Sequence, residues 1–326
     1  VGPHAAEDVD PAPLQWSIMD KVVMPVPTRE EVRRGILYMI LAVAVFAVVN
    51  ALVKYQEAVY PVSEVVFFRS IFALLFSFIL VQRDGGFSIL RTHRIAEHVG
   101  RGTLQFISMV CVFIAYHLMP LADAVAITFS SPLFLTVLSI PLLGEHVGRH
   151  RWAAVIVGFV GIMIMVQPGP GTFSLGAILA LANSALSASV TIALRRMSLT
   201  ERPATLVTYQ AMVAVALSVL ILPFGWVSPT WQGGLGLAAI GVISGLGQIL
   251  WTQAFRLVPA AILAPFSYTS MIWSIGLGFL IWGDMPTAVL IGGACVVAMS
   301  GLYILYRETL RRQSQRPVLA AAAGDD

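Results

Sequence analysis

An arginine inside a long apolar run is the first residue of this sequence with chemistry to offer. Arg69 stands eight residues into the run 61–82, about 12 Å along a helix, where a charge costs about 2.5–3.5 kcal/mol unless it meets water, a partner or an anionic ligand. Glu64, five residues earlier, lies about 140° round the helix and is badly angled for a direct pair. Arg69 therefore binds an anionic group of a ligand or meets an acceptor on another helix. Polar residues recur at helical spacing in other runs: Asn183, Ser187 and Thr191 on one face, Ser244, Gln248 and Thr252 on another, with Trp251 beside them. Two hydroxyl clusters, Thr128-Phe129-Ser130-Ser131-Pro132 and Ser267-Tyr268-Thr269-Ser270, interrupt two further runs. Pro132, and Pro265 just ahead of the second cluster, remove backbone donors and leave carbonyls free. Gathered round a wet cavity, these groups would bind a zwitterionic or partly aromatic solute. Spread over helix contacts, they would be glue and packing instead.

These residues need elements to hold them, and composition says what kind. Only 11% of the 326 residues are charged and 58% are hydrophobic, with mean hydropathy +0.84; a soluble protein carries about 25% charge. A hydrocarbon core takes about 20 helical residues per crossing. Ten spans meet that length: 35–54, 61–82, 99–118, 121–143, 152–167, 176–196, 204–222, 234–255, 260–282 and 286–306. The fold expected is all-α, a polytopic protein of the lipid bilayer. Lys21, Arg29, Arg33 and Arg34 precede span one, and Arg83, Arg91, Arg94 and Arg101 follow span two. Further basic residues follow every second span, while the alternate loops carry none except Lys54 at an edge. By the positive-inside bias both termini are cytoplasmic, and the pI near 9.0 reflects topology, not nucleic acid. Lys54 is expected to snorkel to the headgroups. Cys111 and Cys295 lie in apolar runs, so no disulfide framework or metal cluster is available. No P-loop, no H-E-x-x-H and no Ser-His-Asp set can be assembled; no cofactor, metal or catalytic residue is expected.

The chain also repeats itself. Ala115-Tyr-His-Leu-Met-Pro120 through Leu143 to Gly144-Glu145 recurs 139 positions later as Ala254-Phe-Arg-Leu-Val-Pro259 through Trp282 to Gly283-Asp284. The glycines read as helix C-caps. Ser131 pairs with Ser270, and a shift of 141 pairs Gly35 with Gly176, Lys54 with Arg195 and Arg69 with Gln210. Five spans per repeat is odd, so the second copy enters the membrane upside down: two inverted five-helix repeats, 35–167 and 176–306, joined by an outer linker, 168–175. Residues 1–34 form a disordered or surface-lying leader and 307–326 a polar cytoplasmic tail. Inverted half-bundles that rock against one another are a scaffold for alternating access.

With Phe67-Phe68-Arg69-Ser70, Pro120-Leu121-Ala122-Asp123-Ala124 and the two Pro-to-Gly-Glu/Asp segments in this order, residues 35–306 resemble the EamA branch of the drug/metabolite transporter superfamily. That resemblance implies a secondary transporter in the inner membrane for a small organic solute: an amino acid, a vitamin such as riboflavin, or a nucleoside-like compound such as S-adenosylmethionine. The solute site expected from the residues combines the midplane of spans four and nine (Thr128, Ser131, Tyr268, Ser270) with Arg69, Asn183, Ser187, Gln210, Gln248 and Trp251. A drug or metabolite exporter of the same fold is the alternative. A membrane-embedded lipid-modifying enzyme would need an interfacial His, Cys or carboxylate cluster that the sequence lacks. A homodimer stays open.

Overall fold

The structure, a computed structural model, describes residues 28–143, 148–166, 174–197, 200–258 and 260–322. No strand occurs among them. The helices in order are α1 (Arg29–Gln56), α2 (Val62–Asp84), α3 (Ile95–Leu118), α4 (Leu121–Thr128), α5 (Ser131–Leu143), α6 (Arg149–Val166), α7 (Leu175–Met197), α8 (Pro203–Ile221), α9 (Trp231–Leu257), α10 (Ala260–Ser267), α11 (Thr269–Trp282) and α12 (Ala288–Ala322). Eight stretches, counting Leu121–Leu142 across α4 and α5 as one, are long and apolar enough to cross a membrane. The shorter apolar stretch Ala288–Ile304 of α12 and the broken pair α10–α11 complete ten crossings.

Helix ends depart from the apolar count where polar residues can continue a helix in water. α1 begins at Arg29 because Thr28 and Glu31 cap each other: Thr28 Oγ1 accepts from the Glu31 N–H at 3.2 Å, and the Glu31 carboxylate accepts from the Thr28 N–H at 2.7 Å. Residues 29–34 thus belong to α1 and not to a leader, whose remainder, 1–27, lies outside the described residues. α12 runs on to Ala322, so most of the expected polar tail is helical. Gly283 ends α11 as a left-handed cap, φ 73°, its N–H donating to the Phe279 carbonyl at 2.9 Å. Gly144-Glu145 falls outside the described residues.

The inversion of the repeats is visible at one residue. Lys54, near the end of α1, donates to the Met119 carbonyl at 2.9 Å. A Cβ on Gly176, near the start of α7, would lie 3.2 Å from Met119 Sδ. α1 therefore ends where its equivalent α7 begins, and the two run in opposite directions.

The halves do not form separate bundles that face each other, as the sequence suggested; they interleave. α1 packs on α9, α3 on α7, α2 on α8 and α6 on α12, and exchanging the two repeats maps this set of pairs onto itself. Glycines allow the close approaches. A Cβ on Gly241 or Gly245 of α9 would come within 2.3 Å of Phe72 or Phe76 of α2. Gly161 and Gly293 bring α6 and α12 backbone to backbone, each hypothetical Cβ lying 3.0 Å or less from the other's carbonyl oxygen.

The fourth and ninth crossings break at matching places, after Thr128 and after Ser267. Pro132 has no N–H for the Thr128 carbonyl, so the ladder fails there. Ser130 N–H and Oγ both turn back onto the Ile127 carbonyl, at 3.0 and 2.7 Å. Ser184 of α7 reaches the Ile127 and Thr128 carbonyls, each at 3.4 Å. The carbonyls expected to face a ligand are covered by a neighbouring helix.

Candidate functional site

A cavity of about 1410 Å³ lies between the first three crossings of each repeat, walled by α1, α2 and α3 from one and α7, α8 and α9 from the other. Along α2 its wall runs from Arg69 to Asp84, about 22 Å at 1.5 Å per residue. It reaches the end of the bundle where α2 stops and α3 starts, and its blind end is at Arg69.

Arg69 has no carboxylate partner among the described residues. One guanidinium nitrogen donates to the Met109 sulfur, its Cζ sits 5.5 Å from the centre of the Phe113 ring, and Nε is buried without a partner. A thioether is a weak acceptor and the ring a modest cation host, so the charge is sheltered more than neutralised. Arg101, six residues inside α3 and 4% exposed, is a second cation on the same wall. It donates to Gln210 Oε1 at 2.8 Å and to the Leu206 carbonyl at 2.5 Å, with Nε again unpartnered. Gln210 and Gln248 line the cavity as well, with Gln105, Thr191 and the unpartnered buried hydroxyl of Ser244. Arg69 and Gln210, equivalent in the two repeats, thus share one chamber.

The other expected residues lie elsewhere. Asn183 Nδ2 donates to the Ser108 carbonyl and hydroxyl, both at 2.9 Å, and Ser187 Oγ is 2.9 Å from Ser108 Oγ; this stripe ties α7 to α3. Thr128 Oγ1 bonds the Val125 carbonyl of its own helix at 2.7 Å. Tyr268 stacks on Phe129 at 4.8 Å, closing one break against the other. Trp251 packs between Phe46 and Phe255 at 6.1 and 5.1 Å. Ser131 and Ser270, half-buried in the first turns of α5 and α11, are not on the cavity wall. Spans four and nine therefore brace the chamber from behind instead of lining it, because their breaks are filled by Ser184 and by each other.

The opposite end of the bundle is closed. Lys54 does not snorkel to headgroups: 13% exposed, it bonds the Met119 carbonyl, lies 3.7 Å from the Asp284 carboxylate and 5.0 Å from the centre of the Trp282 ring. Three segments, the ends of α1, α3 and α11, are tied there by one ammonium. Glu57, in the turn after α1, is 5% exposed with both carboxylate oxygens unpartnered. Burial pushes its carboxyl up to about 9, against the opposing pull of Lys54.

A sequence model of the EamA-like transporter family matches residues 33–167 and again 174–307. The pseudopaline exporter CntI of Pseudomonas aeruginosa is 31% identical over 270 residues, covering 82% of this chain and 94% of the relative. A riboflavin transporter of Vibrio cholerae is 27% identical, covering 87% and 97%. An S-adenosylmethionine uptake transporter of Rickettsia prowazekii is 27% identical, covering 84% and 93%. A solved crystal structure shares the fold with a TM-score of 0.57 at 20% identity, over 88% of this chain and 99% of that one.

Proposed function

The chain belongs to the EamA-like transporter family, and from that premise we propose that it carries a small organic metabolite across the inner membrane by alternating access. The cavity between α1–α3 and α7–α9 is the solute site, with Arg69, Gln210 and Gln248 on its wall. The positive-inside bias sets both termini, and the reachable end of the cavity, in the cytoplasm. The observation that carries this reading is the asymmetry of the chamber: about 1410 Å³ of space reaching one end of the bundle, and the Lys54–Met119–Asp284 tie shutting the other. A site closed at one end and reachable from the other is one of the two states an alternating-access carrier needs.

Because the helices interleave, α1 moves with α9 and α3 with α7, and opening the far end requires Lys54 to leave Met119 and Asp284. No P-loop occurs in the sequence, so the work comes from a solute, exchange or proton gradient. The solutes named for the relatives, riboflavin, S-adenosylmethionine and pseudopaline, are the first to try, in both directions. Protein-dependent flux in proteoliposomes is the expected result, and Arg69→Ala should lower it at least tenfold with membrane insertion unchanged. Undiminished flux in that variant would remove Arg69 from the site.

A further inference from the structure

The wall of the cavity is unbalanced in charge. Arg69, Arg83 and Arg101 line it against a single acid, Asp84, which stands with Arg83 at the exposed mouth. Deeper than that rim the described wall carries two guanidinium groups and no carboxylate. No carboxylate outside this wall pairs with Arg69 among the described residues. Glu64, in the first turn of α2, accepts from the Val227 N–H at 3.2 Å with one oxygen, and its other oxygen and both of Glu57, in the turn after α1, meet no partner. Asp284 answers Lys54. Arginine cannot shed its proton, and a buried cation without a counter-charge is costly. The site is therefore built to be completed by something negative that comes and goes.

We propose that the solute is an organic anion, its carboxylate taken by Arg69 at the blind end after passing Arg101; this rests on the transporter reading above. Planar guanidinium groups suit carboxylates, which they grip through two parallel hydrogen bonds. At Arg69 the buried, unpartnered Nε is the donor open to that grip, its fork completed by Nη2 on the same side of the guanidinium, while Nη1 lies on the Met109 sulfur. Arg101 sits eight residues before Met109 on α3, about 12 Å nearer the mouth. Its field draws anions inward in a low-dielectric funnel, while its bonds to Gln210 and Leu206 hold the wall in shape. An inorganic ion would leave most of the chamber empty. Phe46, Phe76, Phe106 and Met109 offer an apolar surface for a carbon skeleton, and Gln105, Gln210 and Gln248 offer amides for its hydroxyls and carbonyls.

The test needs no guess at the solute. Proteoliposomes carrying the purified protein, and protein-free controls, are incubated in a water-soluble bacterial metabolite extract, washed, and their contents identified by mass spectrometry. Solutes accumulated only with the protein are expected to carry a carboxylate. Their initial uptake should fall at least tenfold in Arg69→Gln and severalfold in Arg101→Gln, with Arg101→Lys retaining more than Arg101→Gln. Rising ionic strength should slow uptake by the unmodified protein. Protein-dependent uptake restricted to neutral or cationic solutes would overturn the inference and leave the transporter reading standing; no protein-dependent uptake of any solute would overturn both. The unmodified protein alone decides these outcomes if a variant fails to fold.

Discussion

Glu57 makes the closed end of the bundle sensitive to pH. Its carboxyl titrates at about 9 in the folded protein against 4.5 in an open chain. Between those values the folded state holds a proton that the unfolded chain has lost, so its contribution to stability falls as pH rises from about 5 to about 9. Thermal midpoints in nanodiscs across that range should decline more steeply for the unmodified protein than for Glu57→Gln, which keeps the shape without the charge; parallel slopes would refute this. At the same scale, Gln210→Ala should weaken transport by releasing Arg101, and Gln210→Glu should weaken it further by neutralising the wall, both measured as initial flux. Arg69 stood out in the sequence because a charge deep in an apolar run demands a reason. Arg101 did not. Counted among the basic residues that follow span two, it is inside α3, and the clue was Glu97, an acid placed to favour a helix starting at Ile95. Asn183 and Gln248 carry similar amides at similar depth, yet one faces α3 and the other the cavity. Helical spacing groups residues on a face; it does not say what that face meets.

Elements were more legible than faces. The ten crossings, the duplicated stretch and the break beside Pro132 follow from apolar length, repetition and a missing N–H, all of which are local; Pro265 sits inside α10, and the matching break comes after Ser267. What escaped was the pairing of helices across the halves, which depends on where small residues let backbones approach. Gly293 illustrates it: a Cβ there would meet Met165 Cγ at 2.6 Å and the Gly161 carbonyl at 2.8 Å, while a Cβ on Gly292 meets nothing within 4 Å. Gly293→Ala should therefore destabilise the protein by about 1–3 kcal/mol, and Gly292→Ala should leave it unchanged or slightly firmer, since alanine is the better helix former. Equal thermal midpoints for the two variants would mean that α6 and α12 do not meet as described.

At the scale of the molecule, inversion lets one sequence plan serve both ends of the bundle: what one repeat does at one end, its image does at the other. The chamber reaches the end that carries Asp84 and Ile95, and Lys54 locks the far end. The most direct measurement of this arrangement is thiol labelling from each side of the membrane. In a background with Cys111 and Cys295 replaced by alanine, Gln210→Cys tests the chamber. With transport halted in the cold, a membrane-impermeant maleimide should label it from the cytoplasmic face and not from the outer one. Adding Lys54→Met should restore labelling from outside by cutting the tie to Met119 and Asp284. Labelling only from the outer face in the single variant, or from neither face, would contradict the account.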